Sequence, residues 1–312
     1  MHYYYAFMLT ICSDLVFPEL EAMPELPATA AITIAFGEVP LKGLDEPLDT
    51  SLFHQANRDS LWLNINNVGR FLIRNGREII VDPCPGTDED SLRLFILGSC
   101  MGALLMQRDV CLLHGNVVKF GNFAVSFVGN SGAGKSTLCG AFFNRNYPIL
   151  ADDICAINQH GFVLPSFPHI KLWSDAATCL RIETKQLKKI RPGMDKFSQP
   201  LANSFYKKPL PLKFIYVLNS HQKDEFQFTK QEGMHKLPAL HHHTYRRMYL
   251  KGLGKQKNHL QHCVNIACNT TLVHIHRPQV GFRLDELVEL IEMDINKHLA
   301  RFKENHETAS AQ

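Results

Sequence analysis

The sequence predicts a mixed α/β (α+β) protein in two parts, a small antiparallel β module followed by a larger domain organised around a phosphate-binding loop. Three observations predict it. Residues 1 to about 85 alternate apolar and polar side chains with period two. A nearly all-apolar stretch of helical length follows, and then GNSGAGKSTLCGAFFNRNYPILADD, Gly129 to Asp153, reads as glycine-rich loop, helix, short apolar strand and two acids. With 312 residues, 45% hydrophobic and 20% charged, the chain is long enough to bury a substantial core. A net charge of +3 is too mild to point to nucleic acid or a membrane, and neither is expected as a partner.

The elements follow in order. MHYYYAFMLTIC lacks a basic leader and a small-residue cleavage site, is too short to span a bilayer, and reads as a first strand. AITIAFG and LWLNIN alternate, and VGRFLIRNGREIIVD holds two alternating runs joined by Asn75-Gly76, the pair best suited to a type I′ hairpin turn. This module is assigned residues 1–87. Residues 88–109, with Asp88 or Asp90 available as N-cap, form a connecting helix, apolar nearly all round and therefore buried. A catalytic domain is assigned 110–304. It opens on VCLLHGNVVKFGNFAVSFVGN, two strands around a Gly121-Asn122 turn, the second feeding the loop. After the acids come a hairpin-like ICAINQHGFVL, a helix around SDAATCLRIETKQLKKI, a strand LKFIYVL, a helix near HTYRRMYLKGLG, a strand TLVHIH and an amphipathic terminal helix from LDELVELIEM. The tail, 305–312, is expected to fray. Nine cysteines, an odd number with no C-x-x-C pair, read as reduced thiols in a cytoplasmic protein.

Gly129-x-x-x-x-Gly134-Lys135-Ser136 is a full Walker A match, placed between a strand and a helix as the chemistry requires. Its span, Gly129, Asn130, Ser131, Gly132, Ala133, Gly134, Lys135, Ser136 and Thr137, is the expected binding segment for ATP or another nucleoside triphosphate. Glycines let backbone N–H groups curl around phosphate oxygens, and the helix N-terminus adds its positive end. Lys135 would reach the β- and γ-phosphates and Ser136 would ligate Mg²⁺. Asp152 and Asp153 follow one helix and one strand later, so both acids are expected near the γ-phosphate, one to hold the metal and one to accept a proton from a hydroxyl acceptor. His114 could be structural, or could hydrogen-bond Asp152 and tune its basicity.

LLHGNVVKFGNFAVSFVGNSGAGKSTLCGAFFNRNYPILADDICAI resembles the catalytic core of the HPr kinase/phosphorylase family, whose layout is His-Gly, hairpin, Walker A, helix, short strand, Asp-Asp. The resemblance covers about His114 to Ile157. It implies a fold related to phosphoenolpyruvate carboxykinase, with Asp152 as base on the acceptor hydroxyl, Asp153 and Ser136 as magnesium ligands, Lys135 as phosphate clamp and His114 as the partner of the aspartate. The downstream Glu- and Arg-containing signature of that family is missing, with FPHIKLW in its neighbourhood, and the N-terminal module differs. The overall arrangement looks more like the HPr-kinase-like kinases of lasso-peptide biosynthesis, which phosphorylate a hydroxyl on a precursor peptide. The expected activity is therefore phosphoryl transfer to a serine-type hydroxyl of a peptide or small protein. An HPr(Ser) kinase or a small-molecule kinase, or from another class a nucleotide-dependent switch or binding module, is the alternative, and the family's assemblies make a homo-oligomer an expectation.

Four further features are noted. Lys185, Lys188, Lys189, Arg191 and Lys196 read as a solvated helix face or a site for an acidic peptide. Arg246-Arg247 could supply a transition-state cation. His241, His242, His243, His259, His262, Cys263, Cys268, His274 and His276 invite a transition-metal reading, with His274 and His276 on one strand face, but meet no established ligand spacing. Lys171 in FPHIKLW is a possible contact to nucleotide or peptide.

Overall fold

The computed structural model describes residues 1–24, 29–281 and 283–310, with side chains described to residue 300. The N-terminal part is a nine-stranded sheet. It is mixed and not wholly antiparallel: Ile32–Phe36 runs parallel to both its neighbours, Leu9–Ser13 and Glu78–Pro83. The remaining pairings are antiparallel, and Asn75 and Gly76 both take positive φ in the turn between Gly69–Arg74 and Glu78–Pro83. The single first strand expected of MHYYYAFMLTIC is two, His2–Ala6 and Leu9–Ser13, joined by a tight turn at Phe7 and Met8, whose φ values are 51 and 62. Apolar residues in left-handed turns give no sequence signal, which is why one strand was expected there.

Asp88 caps the connecting helix, its carboxylate accepting from Ser91 N at 2.8 Å. The helix runs from Glu89 to Gln107 with a π-helical segment, Ile96–Cys100, in its middle. Leu92, Ile96, Leu97, Met101, Leu104 and Leu105 are all buried, each contributing roughly 1.5–3 kcal/mol of apolar burial. They join one hydrophobic cluster with Phe71 and Ile73 of the sheet and with Leu112, Phe167, Tyr245 and Tyr249 of the second part. Tyr245 fits because position 102 is glycine: a Cβ there would lie 2.9 Å from Tyr245 Cε1.

The second part holds an eight-stranded sheet, in which five strands close a circuit through Cys111–Phe120, Phe123–Gly129, Leu210–His221, Phe162–Leu164 and Ile154–Ile157. Helices Lys135–Asn144 and Leu284–Ser310 pack on one face, with Val125 and Phe127 beneath them. Helix Gln256–Asn269 covers the other face, over Ala124, Val128 and Leu113. The terminal helix carries through 305–310, so the expected fraying does not begin at 305; residues 311 and 312 lie outside the described residues. The helix expected around SDAATCLRIETKQLKKI is only Ser174–Cys179. Of its remainder, Lys188–Lys189 joins the flanking strands His169–Trp173 and Lys196–Pro200 in a three-stranded antiparallel sheet. Among the described residues no helix is long and apolar enough to cross a membrane.

Candidate active site

The glycine-rich loop leaves the fully buried strand Phe123–Gly129 and enters helix Lys135–Asn144 through Gly134, whose φ of 95 places the helix N-cap in a left-handed conformation that a side chain would strain. Lys135 is buried, and its Nζ donates to the carbonyl oxygens of Gly129 at 2.8 Å and Asn130 at 3.0 Å, inside the curl of the loop. Burial pulls its ammonium below the ordinary lysine range. Ser131 and Gly132 are exposed at the loop's tip, while Ala133, Gly134, Ser136 and Thr137 are half-buried. Two residues from elsewhere border the loop. His242 Nε2 lies 3.1 Å from Asn130 Oδ1, and Arg277 Nε donates to Ala133 O at 3.4 Å.

Asp152 and Asp153 occupy a break between Ile149–Ala151 and Ile154–Ile157, both of which pair with the long strand Cys111–Phe120. The acids therefore follow the C-terminal end of Ile149–Ala151, as expected, and a second strand along the same partner begins directly after them. A regular strand sends neighbouring side chains to opposite faces. Asp153 has φ 65, a left-handed value costing about 1–2 kcal/mol for an L-residue, and both acids converge on Lys171. Its Nζ donates to Asp153 Oδ2 at 2.9 Å, and its backbone N donates to Asp152 Oδ2 at 2.9 Å.

The side chain hydrogen-bonded to the other oxygen of Asp152 is Asn116, not His114. Alternation along Cys111–Phe120 puts Leu112, His114 and Asn116 on one face, and Asn116 stands nearer the acid pair. His114 instead stacks on Tyr245, centroids 5.6 Å apart, while its backbone N donates to His243 O at 2.7 Å. Burial, then the charge of Lys135, holds the His114 imidazole down to about 4, so it is neutral at pH 7. It faces the acids as an uncharged ring.

The two carboxyls have opposite electrostatic fates. Asp152 is 1% exposed; burial first, and then the charge of Asp153, pushes it up to about 7 against the pull of Lys171 and Lys196. Burial also opposes ionisation of Asp153, but Lys171 and then Lys196 hold its carboxyl well below the usual range. Asp153 is the accessible member, its side chain 24% exposed. Lys171, paired with Asp153, and the charges of Lys135 and Lys196 thus act on one firmly ionised carboxylate and on one that ionises only near pH 7. That is a surplus of positive charge suited to a polyphosphate.

Lys196, expected on a solvated helix face, lies on a strand beside Trp173, its Nζ 5.6 Å from the ring centroid. Lys188 and Lys189 are tied to Asp90 and Asp195. Arg246 stacks on the Tyr245 ring and adds its charge near His114, whereas Arg247 points to His241 at 3.5 Å. Asn116 is the functional candidate that sequence reasoning missed, and Lys171, noted there only as a possible contact to nucleotide or peptide, is the partner of both acids. Neither belongs to a motif, although a polar residue two positions beyond His114 on an otherwise apolar strand is a weak sign for the first.

On the outer side of Lys171 a cleft of ≈ 240 Å³ opens between Glu19, Asp90, Arg93, His169 and Lys188. It brings together the N-terminal part, the connecting helix and the three-stranded sheet.

No family model and no curated protein matches the chain. Among solved structures, that of the Hpr(Ser) kinase/phosphatase from Coxiella burnetii is similar over 63% of this chain and 96% of that one, at 11% identity and a TM-score of 0.32, values too low to assign this chain to a family.

Proposed function

We propose that this protein is a magnesium-dependent kinase that transfers the γ-phosphoryl of ATP, or another nucleoside triphosphate, to a serine-type hydroxyl on a peptide or small protein. The observation that carries this reading is geometric: Gly115 pairs with Val128 of the strand that enters the loop and its N–H donates to Asp153 O at 3.2 Å, which sets the Asp152-Asp153 pair, held by Lys171, beside the loop. A switch needs a loop and a metal ligand; a second carboxyl poised near neutrality is what transfer to a hydroxyl requires.

In this reading the loop amides and Lys135 bind the phosphates, Lys135 exchanging its two carbonyl partners for phosphate oxygens. Ser136 and Asp153 offer the hard oxygen donors that suit Mg²⁺, a half-buried hydroxyl and a partly exposed, firmly ionised carboxylate. When bound, Mg²⁺ neutralises phosphate charge. Asp152 receives the acceptor's proton through the lone pairs that Asn116 and Lys171 N leave free. The acceptor oxygen bonds to the γ-phosphorus as the bridging bond to the β-phosphate breaks, and the diphosphate leaves. Lys171 and Lys196 stabilise charge on the transferring group. The cleft at Lys171 gives an extended peptide an approach lined by both parts of the chain, which favours a peptide acceptor over a small molecule.

Incubation with labelled ATP, Mg²⁺ and serine-terminated peptides should give a peptide heavier by one phosphoryl group in mass spectrometry, with label retained after removal of nucleotide. The reading fails if triphosphate binds, no acceptor gains label, and a partner protein is retained only in the triphosphate-bound form.

A further inference from the structure

The strand that carries His114 and Asn116 on one face presents Cys111 on the other, by the same alternation. There it meets helix Gln256–Asn269. Cys111 Sγ, one ring nitrogen of His259 and Cys263 Sγ all lie within 4.8 Å of one another, and all three residues are buried. Cys263 Sγ is 3.8 Å from His259 Nδ1 and 3.6 Å from Nε2. Two ligands of one tetrahedral zinc ion, with Zn–S near 2.3 Å and Zn–N near 2.0–2.1 Å, stand roughly 3.6 Å apart. The observed spacing, 3.8 Å for Cys263 and His259 Nδ1 and at most 4.8 Å for the pairs with Cys111, is close to that of a tetrahedral ligand set.

The surroundings of His259 favour the same use. Thr244 Oγ1 donates to Leu240 O at 2.9 Å, so towards His259 Nε2, also 2.9 Å away, the hydroxyl acts as acceptor. That places the proton on Nε2 and leaves Nδ1 with a free lone pair. A ligating histidine is ordinarily oriented in this way, its second nitrogen donating to a fixed oxygen.

We propose that Cys111, Cys263 and His259 Nδ1 form a binding site for a thiophilic divalent cation of the Zn²⁺ class. A pocket lined by His241, His259, Cys263 and Leu260 leads to it from solvent. The His241 ring is 6.1 Å from that of His259, close enough for His241 or a water to complete four-coordination. On binding, both thiols release their protons to solvent and the sulfurs bind as thiolates. Two of the three ligands come from adjacent turns of one helix and the third from a strand 148 residues earlier, as 259 minus 111 shows. No ligand-spacing motif could reveal such a site. The ion would pin helix Gln256–Asn269 to the strand whose opposite face holds His114.

The test titrates Co²⁺ alone into the reduced, chelator-treated full-length protein. Thiolate-to-cobalt charge-transfer absorption and tetrahedral visible bands should saturate at one equivalent and be abolished by excess Zn²⁺. Cys111→Ser, Cys263→Ser and His259→Gln should each weaken binding at least tenfold, whereas His242→Ala should leave it unchanged. Thiol counting on the unmodified protein, in urea high enough to open the buried thiols to reagent, keeps the test independent of whether those variants fold: Zn²⁺ should slow the alkylation of two cysteines, Cys111 and Cys263. Cobalt spectra without sulfur bands, binding that survives both cysteine changes, or a Cys111–Cys263 disulfide in the reduced preparation would each overturn the proposal.

Discussion

Asp152→Asn should lower phosphoryl transfer by about 10²–10⁴-fold, the range expected for loss of a positioned base, with triphosphate affinity changed no more than a few-fold. The same substitution should stabilise the protein at neutral pH. Asp152 is fully buried and its carboxyl is pushed up to about 7, above an unfolded value of 3.8. Between those two pH values the folded protein holds a proton that the unfolded chain releases, so this group's contribution to stability is intact below about pH 4 and is lost as pH rises through about 7. Asparagine carries no such penalty. Its amide can be accommodated by a flip of Asn116, while its oxygen still accepts from Lys171 N. The stability advantage of the variant should therefore grow with pH to a value on the order of 4 kcal/mol at pH 8. Urea denaturation at several pH values measures it, and a gap that stays constant with pH would show that Asp152 carries no raised pKa. The wild-type transfer rate should rise with pH through the same region, as the base ionises.

The second large effect is expected at Lys171. Lys171→Met deletes the 2.9 Å ion pair to Asp153 while sparing the backbone bond to Asp152. Both side chains are mostly shielded, 12% and 24% exposed, so the stranded carboxylate should destabilise the fold by about 3 kcal/mol. Lys171 is what holds the Asp153 carboxyl below its ordinary range. A depressed carboxyl contributes stability above its unfolded value and loses it as pH falls through the folded one. The cost of Lys171→Met should accordingly be largest at neutral pH and shrink in acid. Lys171→Arg should recover much of the stability, since the cation is kept, and less of the activity. Equal loss in both variants would show that packing, and not charge, is what Lys171 supplies.

Much of this site can be read from local chemistry. Gly129 to Ser136, the short helix and the acids after it are contiguous, and each has a physical reason for its spacing. The alternation of the N-terminal strands and the Asn75-Gly76 turn were equally plain. What escaped was set by tertiary pairing. His114 and Asn116 occupy the same face of one strand, and only the register of Ile154–Ile157 against it decides which reaches Asp152. The basic run from Lys185 to Lys196 has the composition of a helix surface, yet it is drawn into a small sheet by Lys171 and its neighbours. Helix Gln256–Asn269 went unmarked because its polar residues outnumber its buried ones, His259, Cys263, Ile266 and Ala267.

The cluster that runs from Phe71 and Ile73 through Leu104 to Leu112, Tyr245 and Tyr249 joins by continuous apolar packing what reads along the chain as two parts. The N-terminal sheet thereby becomes part of the mutational target of the candidate site. A cavity opened at Phe71, far along the chain from any reacting group, loosens the packing under Tyr245, and Tyr245 is the surface on which His114 rests. A substitution in the N-terminal sheet can therefore reach the candidate site through packing alone.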